Sequence, residues 1–372
     1  MIEATPHINR VIISGGGTGG HIFPAIAIAN EIKNRNEQVE ILFIGAKGKM
    51  EMTRIPAAGY DIIGLPISGF QRRFAISNFV LPFKIIISLL KARRAIKRFK
   101  PQLVIGVGGY ASGPTLKMAG MLGVPTAIQE QNSFPGKTNV MLSNKAHVIC
   151  TAYDGLENFF PKEKIQLTGN PVRGELGKRN LSKEEACQVF DLKSDKETIL
   201  ILGGSLGAKT LNDVMLKTIK SNLAKDVQII WQCGTYYFEQ IEALVSNDLS
   251  ENIKLKAFIS RMDAAYEAAD VIISRAGALS VSELCLLGKP VILVPSPNVA
   301  EDHQTKNAMS LVGANAALLV KDKEAINKLM ECALSLLSNR ELSESLARNI
   351  LTFAKPNATR DIVNECEKIV NK

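Results

Sequence analysis

The 372-residue chain is poor in everything that would mark a metal, disulfide or nucleic-acid protein. Its six cysteines, at 150, 187, 233, 285, 332 and 366, are scattered with no CxxC pair. That spacing excludes a zinc knuckle and a disulfide framework, and suits reduced thiols that fill cores. No two aspartates stand one residue apart, so a D-x-D clamp for a divalent ion is missing. One tryptophan and 6% aromatics leave little to stack on bases, and no nucleic-acid module is recognisable. No apolar run approaches the roughly 20 residues that a bilayer crossing needs. The first ten residues lack the apolar core of a secretory signal, so none is expected there.

Acidic residues are missing from one stretch altogether. Between Arg72 and Lys100 stand nine basic residues (72, 73, 84, 91, 93, 94, 97, 98 and 100) and no acid, against a net charge of +9 for the whole chain. Within it, Phe79–Leu90 is apolar apart from Lys84 and Ser88. Apolar anchors followed by clustered cations describe a surface resting on anionic lipid headgroups; the plainer alternative is a core helix with a solvated basic face.

What is present describes two α/β halves. The length is about twice that of a usual domain, and 46% hydrophobic with 22% charged residues suffices for two cores. Short apolar runs at 10–14, 39–44, 103–107, 125–129 and 147–151 alternate with helical patterns, including a helix from about Phe23 to Arg35. This predicts a parallel sheet with crossover helices. The plan restarts at 198–202 and continues through 227–232, 253–257, 271–274 and 291–295. The expected domains are 1–169 and 170–356, with the helical tail 357–372 returning to the first. In such sheets ligands sit beyond the strands' carboxyl ends, so a cleft between the halves is expected.

Three glycine loops carry the chemistry. Gly15–Gly20 satisfies G-x-G-x-x-G, which suggests a dinucleotide fingerprint. That fingerprint needs an acid at the tip of the second strand, where Gly45-Ala46-Lys47-Gly48 has none. Five glycines in six positions expose backbone N–H groups suited to an anion or a close-packed sugar. Gly203–Thr210 nearly forms a P-loop, but Ala208 replaces its second glycine; a diphosphate cradle using Ser205 remains open. Ser274–Glu283 opens a helix ending at Gly288, and its N-terminus suits a phosphate. Glu283 is placed either to take ribose hydroxyls or simply to offset the helix dipole. Without a metal clamp, leaving-group charge would fall to helix N-termini and to Arg173 or Arg275.

Together, GGTGGHIFP (16–24), GVGGYASGP (106–114), EQN (130–132), GNPVR (169–173), GGSLGAK (203–209), SRAGALSVSE (274–283) and DHQTKNA (302–308) closely resemble the successive motifs of the MurG family. These are the UDP-N-acetylglucosamine:N-acetylmuramyl-(pentapeptide)-pyrophosphoryl-undecaprenol N-acetylglucosaminyltransferases. The resemblance implies a GT-B fold, two Rossmann-like parallel-sheet domains facing across a cleft. It implies inverting transfer of GlcNAc from UDP-GlcNAc to the C4 hydroxyl of the lipid-linked muramyl pentapeptide. The enzyme would be peripheral, on the cytoplasmic face of the bacterial inner membrane, with residues 72–100 on the anionic surface and no nucleic-acid partner. No cofactor is required by this reading, though Mg²⁺ could stimulate. Relatives of other activity, a diacylglycerol glycosyltransferase or a non-hydrolysing UDP-GlcNAc epimerase, share the architecture, and a non-catalytic sugar-nucleotide sensor is the alternative outside enzymes.

Matched by motif, Thr18, Gly19, Gly20 and Asn132 would contact the donor from the first domain. Arg173 and Ser205 would serve its diphosphate, the backbone of Ile259 the uracil, and Gln304 the GlcNAc hydroxyls. Ala278, Leu279, Ser280, Val281, Ser282 and Glu283 would hold phosphate and ribose. Gly108, Gly109 and Tyr110 would offer a backbone nest for the acceptor's diphosphate. His21, which can titrate near neutrality, is a candidate base or else a structural or acceptor contact; Glu130 is the reserve base. Two departures from the family pattern stand out, Gln129 where many members carry histidine and a length change upstream of Gln304–Thr305.

Overall fold

The structure, a computed structural model, describes residues 8–68, 81–172, 181–299 and 302–370. The chain forms two compact units, Met1–Val172 with Asn357–Lys372, and Arg173–Pro356. The expected division assigned Asn170–Val172 to the second unit; they group with the first. The reason is local: Asn170 accepts from Gln129 Nε2 at 3.0 Å and donates to the Gln131 carbonyl at 3.0 Å.

In the first unit the strands are β1 (Arg10–Ser14), β2 (Glu40–Ala46), β3 (Asp61–Leu65), β4 (Leu103–Gly106), β5 (Thr126–Glu130), β6 (Val148–Thr151) and β7 (Ile165–Leu167). All pair in parallel, in the order β3-β2-β1-β4-β5-β6-β7. The helices are α1 (Gly19–Arg35), α2 (Glu51–Ala57), α3 (Leu81–Phe99), α4 (Ser112–Met121) and α5 (Lys137–Leu142). Continuous apolar strands demand cover on both faces, and alternation supplies it. Val11, Ile13, Leu103 and Ile105 enter one core with α1, while Ile12 and Val104 enter the opposite one with α3 and α4.

The second unit repeats the scheme. After α6 (Lys183–Gln188) come β8 (Thr198–Leu202), α7 (Lys209–Ser221), β9 (Gln228–Gln232), α8 (Phe238–Val245), β10 (Ile253–Lys256) and α9 (Met262–Ala268). Then follow β11 (Val271–Ser274), α10 (Ala278–Leu287), β12 (Val291–Leu293), α11 (His303–Val312), β13 (Leu318–Leu319), α12 (Ala325–Ser338) and α13 (Arg340–Leu351). This parallel sheet runs β10-β9-β8-β11-β12-β13. The last helix, α14 (Ala358–Val370), rejoins the first unit. There Ile362, Val363 and Cys366 enter the α1 core, and Arg35 bonds Glu367 at 2.7 Å.

Strand order fixes where a ligand can sit. In each sheet it reverses between the first strand and a later neighbour, β1 beside β4 and β8 beside β11. Loops leaving adjacent strands in opposite directions open a crevice at that point. The loops concerned are 15–18 with 107–111, and 203–208 with 275–277.

One element departs from expectation, and a second bears on two alternatives that the sequence left open. The α1 helix starts at Gly19 rather than near Phe23. Pro24 stands within its first turns, where proline is tolerated, and the preceding Gly19, Gly20 and His21 place the histidine inside the helix. In α3 the buried positions are small, Ser88, Ala92 and Ala95 with Ile96. Phe83, Ile86, Ile87 and Leu90, spaced as one helical stripe, are exposed instead, Phe83 at 67% and Leu90 at 62%. Among the described residues no helix is long and apolar enough to cross a membrane. Arg72 and Arg73 lie outside the described residues.

Candidate functional site

At the first switch point the two glycine loops fit together because neither carries side chains. A Cβ on Gly109 would collide with the Gly16 carbonyl, and one on Gly15 with Val107. This brings the predicted Gly108–Gly109–Tyr110 nest against the loop that carries Thr18, Gly19, Gly20 and His21. The His21 ring is half-buried; its Nδ1 lies 3.0 Å from the Gly16 carbonyl and 3.3 Å from Thr18 Oγ1. A carbonyl can only accept, so Nδ1 carries the proton and Nε2 is the basic nitrogen of the neutral ring. A Cβ on Gly108 would stand 2.8 Å from both Cδ2 and Nε2, so the glycine spares that edge of the ring.

The acid missing from the tip of β2 is supplied from the next helix. Glu51, the first residue of α2, is 1% exposed and folds back under the glycine loop. It accepts from Gly17 N–H through Oε2 at 2.8 Å and from Ala46 N–H through Oε1 at 2.9 Å. A Cβ on Gly16 would overlap this carboxylate. One N–H of the loop, that of Gly17, is thus answered by a protein anion. Glu51 lies beyond the strand tip in sequence, and only the tertiary turn brings the acid back.

Glu130 and Asn132 are adjacent, but Glu130 is not presented as a free base. Its Oε1 accepts from the Asn132 backbone at 3.0 Å and side chain at 3.3 Å. Its Oε2 accepts from Gly136 N–H at 3.1 Å and Asn139 Nδ2 at 2.8 Å. Burial raises its pKa above the carboxylate norm, while these hydrogen bonds pull it down. The geometry makes Glu130 the organiser of the 131–139 loop, because both oxygens are spent on that loop. Gln129, at the position where the family pattern often has histidine, joins Asn170 and Gln131 in a buried amide network.

In the second unit, loop 203–207 is clamped onto the β9–α8 turn. Cβ atoms on Gly207 and Gly234 would collide with Cys233 and with Gly207 respectively. Thr235 N–H donates to the Ser205 carbonyl at 3.2 Å, leaving the Ser205 side chain exposed. Lys209, where a P-loop has its phosphate lysine, instead bonds Asp213 at 2.7 Å along the surface of α7. Beside this loop, α10 starts after Gly277 and ends at left-handed Gly288, as its sequence predicts. Ala278, Leu279 and Ser280 form its first turn, whose N–H groups have no partner one turn earlier; Val281 is buried, while Ser282 and Glu283 are half-buried.

Three neighbours were invisible in the sequence. Tyr266, on α9, donates its hydroxyl to Glu283 Oε2 at 3.2 Å. Asp322 joins the two loops: Oδ1 bonds Arg275 at 2.5 Å and Oδ2 accepts from Thr210 at 2.9 Å. Arg275 Nη1 also donates to the Val294 carbonyl at 3.0 Å, which ties that nitrogen to the scaffold. Gln232 Oε1 accepts from Ile259 N–H at 3.0 Å, which leaves the Ile259 carbonyl as the backbone group a base could meet. Gln304 accepts from Ser296 N–H at 2.8 Å, and Asn307, one turn on, reaches the Ala276 carbonyl at 3.4 Å. This brings Gln304 to the α10 loop. Arg173 lies outside the described residues. Among the described residues no group of three or more His, Cys, Asp or Glu could hold a metal ion.

Comparison with known proteins covers both units. Residues 11–151 match the glycosyltransferase family 28 N-terminal domain, and residues 198–363 its C-terminal domain. A UDP-N-acetylglucosamine--N-acetylmuramyl-(pentapeptide) pyrophosphoryl-undecaprenol N-acetylglucosamine transferase from Flavobacterium psychrophilum is 54% identical over 365 residues, covering 97% of this chain and 98% of that protein. The protein of the same name from Bacteroides thetaiotaomicron is 55% identical over 364 residues, 97% of each. The crystal structure of Acinetobacter baumannii MurG superposes with a TM-score of 0.77 at 33% identity, over 98% of this chain and 100% of that one. With likeness of sequence and fold running through both units, the chain belongs to the MurG family of glycosyltransferases, within glycosyltransferase family 28.

Proposed function

We propose that the chain transfers GlcNAc, with inversion, from UDP-GlcNAc to the C4 hydroxyl of undecaprenyl-pyrophosphoryl-MurNAc-pentapeptide. The observation that carries this reading is identity above one half, over nearly the whole chain, to transferases named for that reaction. The geometry of both switch points supports it.

The acceptor's diphosphate rests on the Gly108–Gly109–Tyr110 nest. Its C4 hydroxyl attacks the anomeric carbon while His21 Nε2 takes the proton. Glu130 keeps Asn132 in place rather than acting as base, and Thr18, Gly19, Gly20 and Asn132 line the sugars. The departing UDP is stabilised by the start of α10, Ala278–Ser280, and by loop 203–207 with Ser205; Arg173 adds charge to the diphosphate. Glu283 takes the ribose hydroxyls, the Ile259 carbonyl meets the uracil and Gln304 the GlcNAc hydroxyls. No resident metal is needed, because N–H dipoles replace it at the diphosphate; Mg²⁺ acts only as a stimulant.

The exposed stripe of α3, followed by Lys91, Arg93, Arg94, Lys97 and Arg98, supports seating on an anionic membrane surface; the cytoplasmic face is the side that the family reading implies. The test is UDP release from UDP-GlcNAc with and without a short-chain muramyl-pyrophosphoryl acceptor. Release only with that acceptor, giving a β-linked disaccharide, is expected. Turnover with diacylglycerol instead, or C2 epimerisation without any lipid, would overturn the assignment; donor binding with no turnover would indicate a sensor.

A further inference from the structure

One buried acid is left without a part in the transfer, and it stands directly behind His21. Between them lies a single peptide group, that of Gly16–Gly17. Its N–H donates to Glu51 Oε2 at 2.8 Å, and its carbonyl faces His21 Nδ1 at 3.0 Å. We propose that Glu51 is a positioning residue for the base, acting through this peptide to hold His21 as its Nδ1–H tautomer and to make Nε2 more basic. The proposal rests on the reading of His21 as the base.

The physical route is short. A carboxylate on a peptide N–H pushes electron density onto the oxygen of the same peptide, and hydrogen bonds in a chain strengthen one another. The stronger acceptor favours the ring form with a proton on Nδ1, and it stabilises the imidazolium once Nε2 has taken a proton. A carboxylate bonded directly to a catalytic histidine acts the same way; here a peptide stands between the two.

The backbone is built to keep this peptide in place. Gly16 and Gly17 have φ of +149° and +90°, values that side chains disfavour. A Cβ on Gly16 would overlap the Glu51 carboxylate, and one on Gly109 would overlap the Gly16 oxygen, so the peptide is clamped from both sides. Glu51 is itself fixed by the Ala46 N–H at the end of β2.

Among the described residues, the charged and titratable groups of the surrounding elements are few. The first turn of α1 has no acid. The β2–α2 turn adds Lys47 and Lys49, both exposed, and the β4–α4 loop adds exposed Tyr110. On the β5 side, the Glu130 carboxylate is turned onto its own loop.

The experiment combines ¹⁵N-histidine NMR of the full chain with pH profiles of kcat/KM, on a soluble acceptor, for wild type, Glu51→Gln and His21→Ala. Wild-type His21, assigned by its loss in His21→Ala, should show the Nδ1–H pattern above its pKa. In Glu51→Gln the tautomers should mix, and the acidic limb should move to lower pH by roughly half a unit or more. The plateau should fall on the order of ten-fold with KM for UDP-GlcNAc kept within about two-fold. An Nε2–H pattern in wild type overturns the proposal without any variant, which covers poor folding of Glu51→Gln. An unmoved limb in Glu51→Gln, where His21→Ala loses the limb, overturns the relay and spares the base. A limb that persists in His21→Ala sinks the base reading itself.

Discussion

The Tyr266 hydroxyl donates to Glu283 Oε2 at 3.2 Å, from a side chain that is almost fully buried. Glu283 stands near the start of α10, so this bond sets which way its carboxylate points. If the carboxylate takes the ribose, Tyr266→Phe should cost one hydrogen bond of about 1 kcal/mol, a rise of roughly five-fold in KM for UDP-GlcNAc. Turnover at saturation should stay within about two-fold. With a 2′-deoxyribose donor the variant and wild type should converge. An equal penalty on both donors would show that Tyr266 merely supports α9.

Asp322 supplies the second prediction. Its carboxylate bonds Arg275 at 2.5 Å and Thr210 at 2.9 Å, and the Arg275 and Asp322 side chains are 15% and 19% exposed. Removing one partner strands a mostly buried charge, so Asp322→Ala should destabilise the second unit by about 2–3 kcal/mol. That corresponds to a melting temperature lower by roughly 4–12 °C for a unit of this size. The double variant Asp322→Ala/Arg275→Met should recover much of the loss, because it removes both charges together. Calorimetry checks both, and strict additivity of the two single losses would contradict the pairing.

The strands that read clearly from sequence were those buried on both faces, such as β1 and β8, whose runs are continuously apolar. The strands missed were β3, β7 and β13, edge or near-edge pieces. Leu167 of β7 is exposed and β13 is two residues long, so neither leaves a pattern. The site showed the same division. Glycine loops at 15–20 and 203–207 were legible because close backbone approach admits no other residue. Glu51, Tyr266 and Asp322 were not, since each meets its partner only through the tertiary fold; Asp322 lies 47 residues from Arg275.

On α3, anchoring should divide between apolar and basic groups. Phe83 and Leu90 are 67% and 62% exposed on the same face. Replacing both with Ser should weaken binding to anionic vesicles about ten-fold or more, since each large apolar side chain contributes up to about 1.5–3 kcal/mol when buried. Reversing charge at Lys91, Arg93, Arg94 and Lys97 removes about 1 kcal/mol per cation near the surface, and should abolish binding at physiological salt. Turnover of a soluble acceptor should remain within about two-fold in both. Vesicle binding that survives both sets of changes would return α3 to an ordinary surface helix.

Glu130 separates the two base candidates by pH. Burial raises its folded pKa above the ordinary 4.5, the hydrogen bonds of its loop only partly opposing this. A raised folded pKa means that the native state holds a proton longer than the unfolded chain. The stability due to that proton is full below 4.5 and is lost as pH rises through the folded value. Glu130→Gln carries no such titration, so the melting temperature of wild type relative to Glu130→Gln should decline across that window and level off above it. Its activity should fall at every pH, because one amide oxygen cannot hold Asn132, Gly136 and Asn139 together. The acidic limb of kcat/KM should nevertheless stay where it is in wild type, since His21 still takes the proton. If Glu130→Gln erased that limb while His21→Ala kept it, the base would have to be reassigned to Glu130, with its loop opening to release the carboxylate.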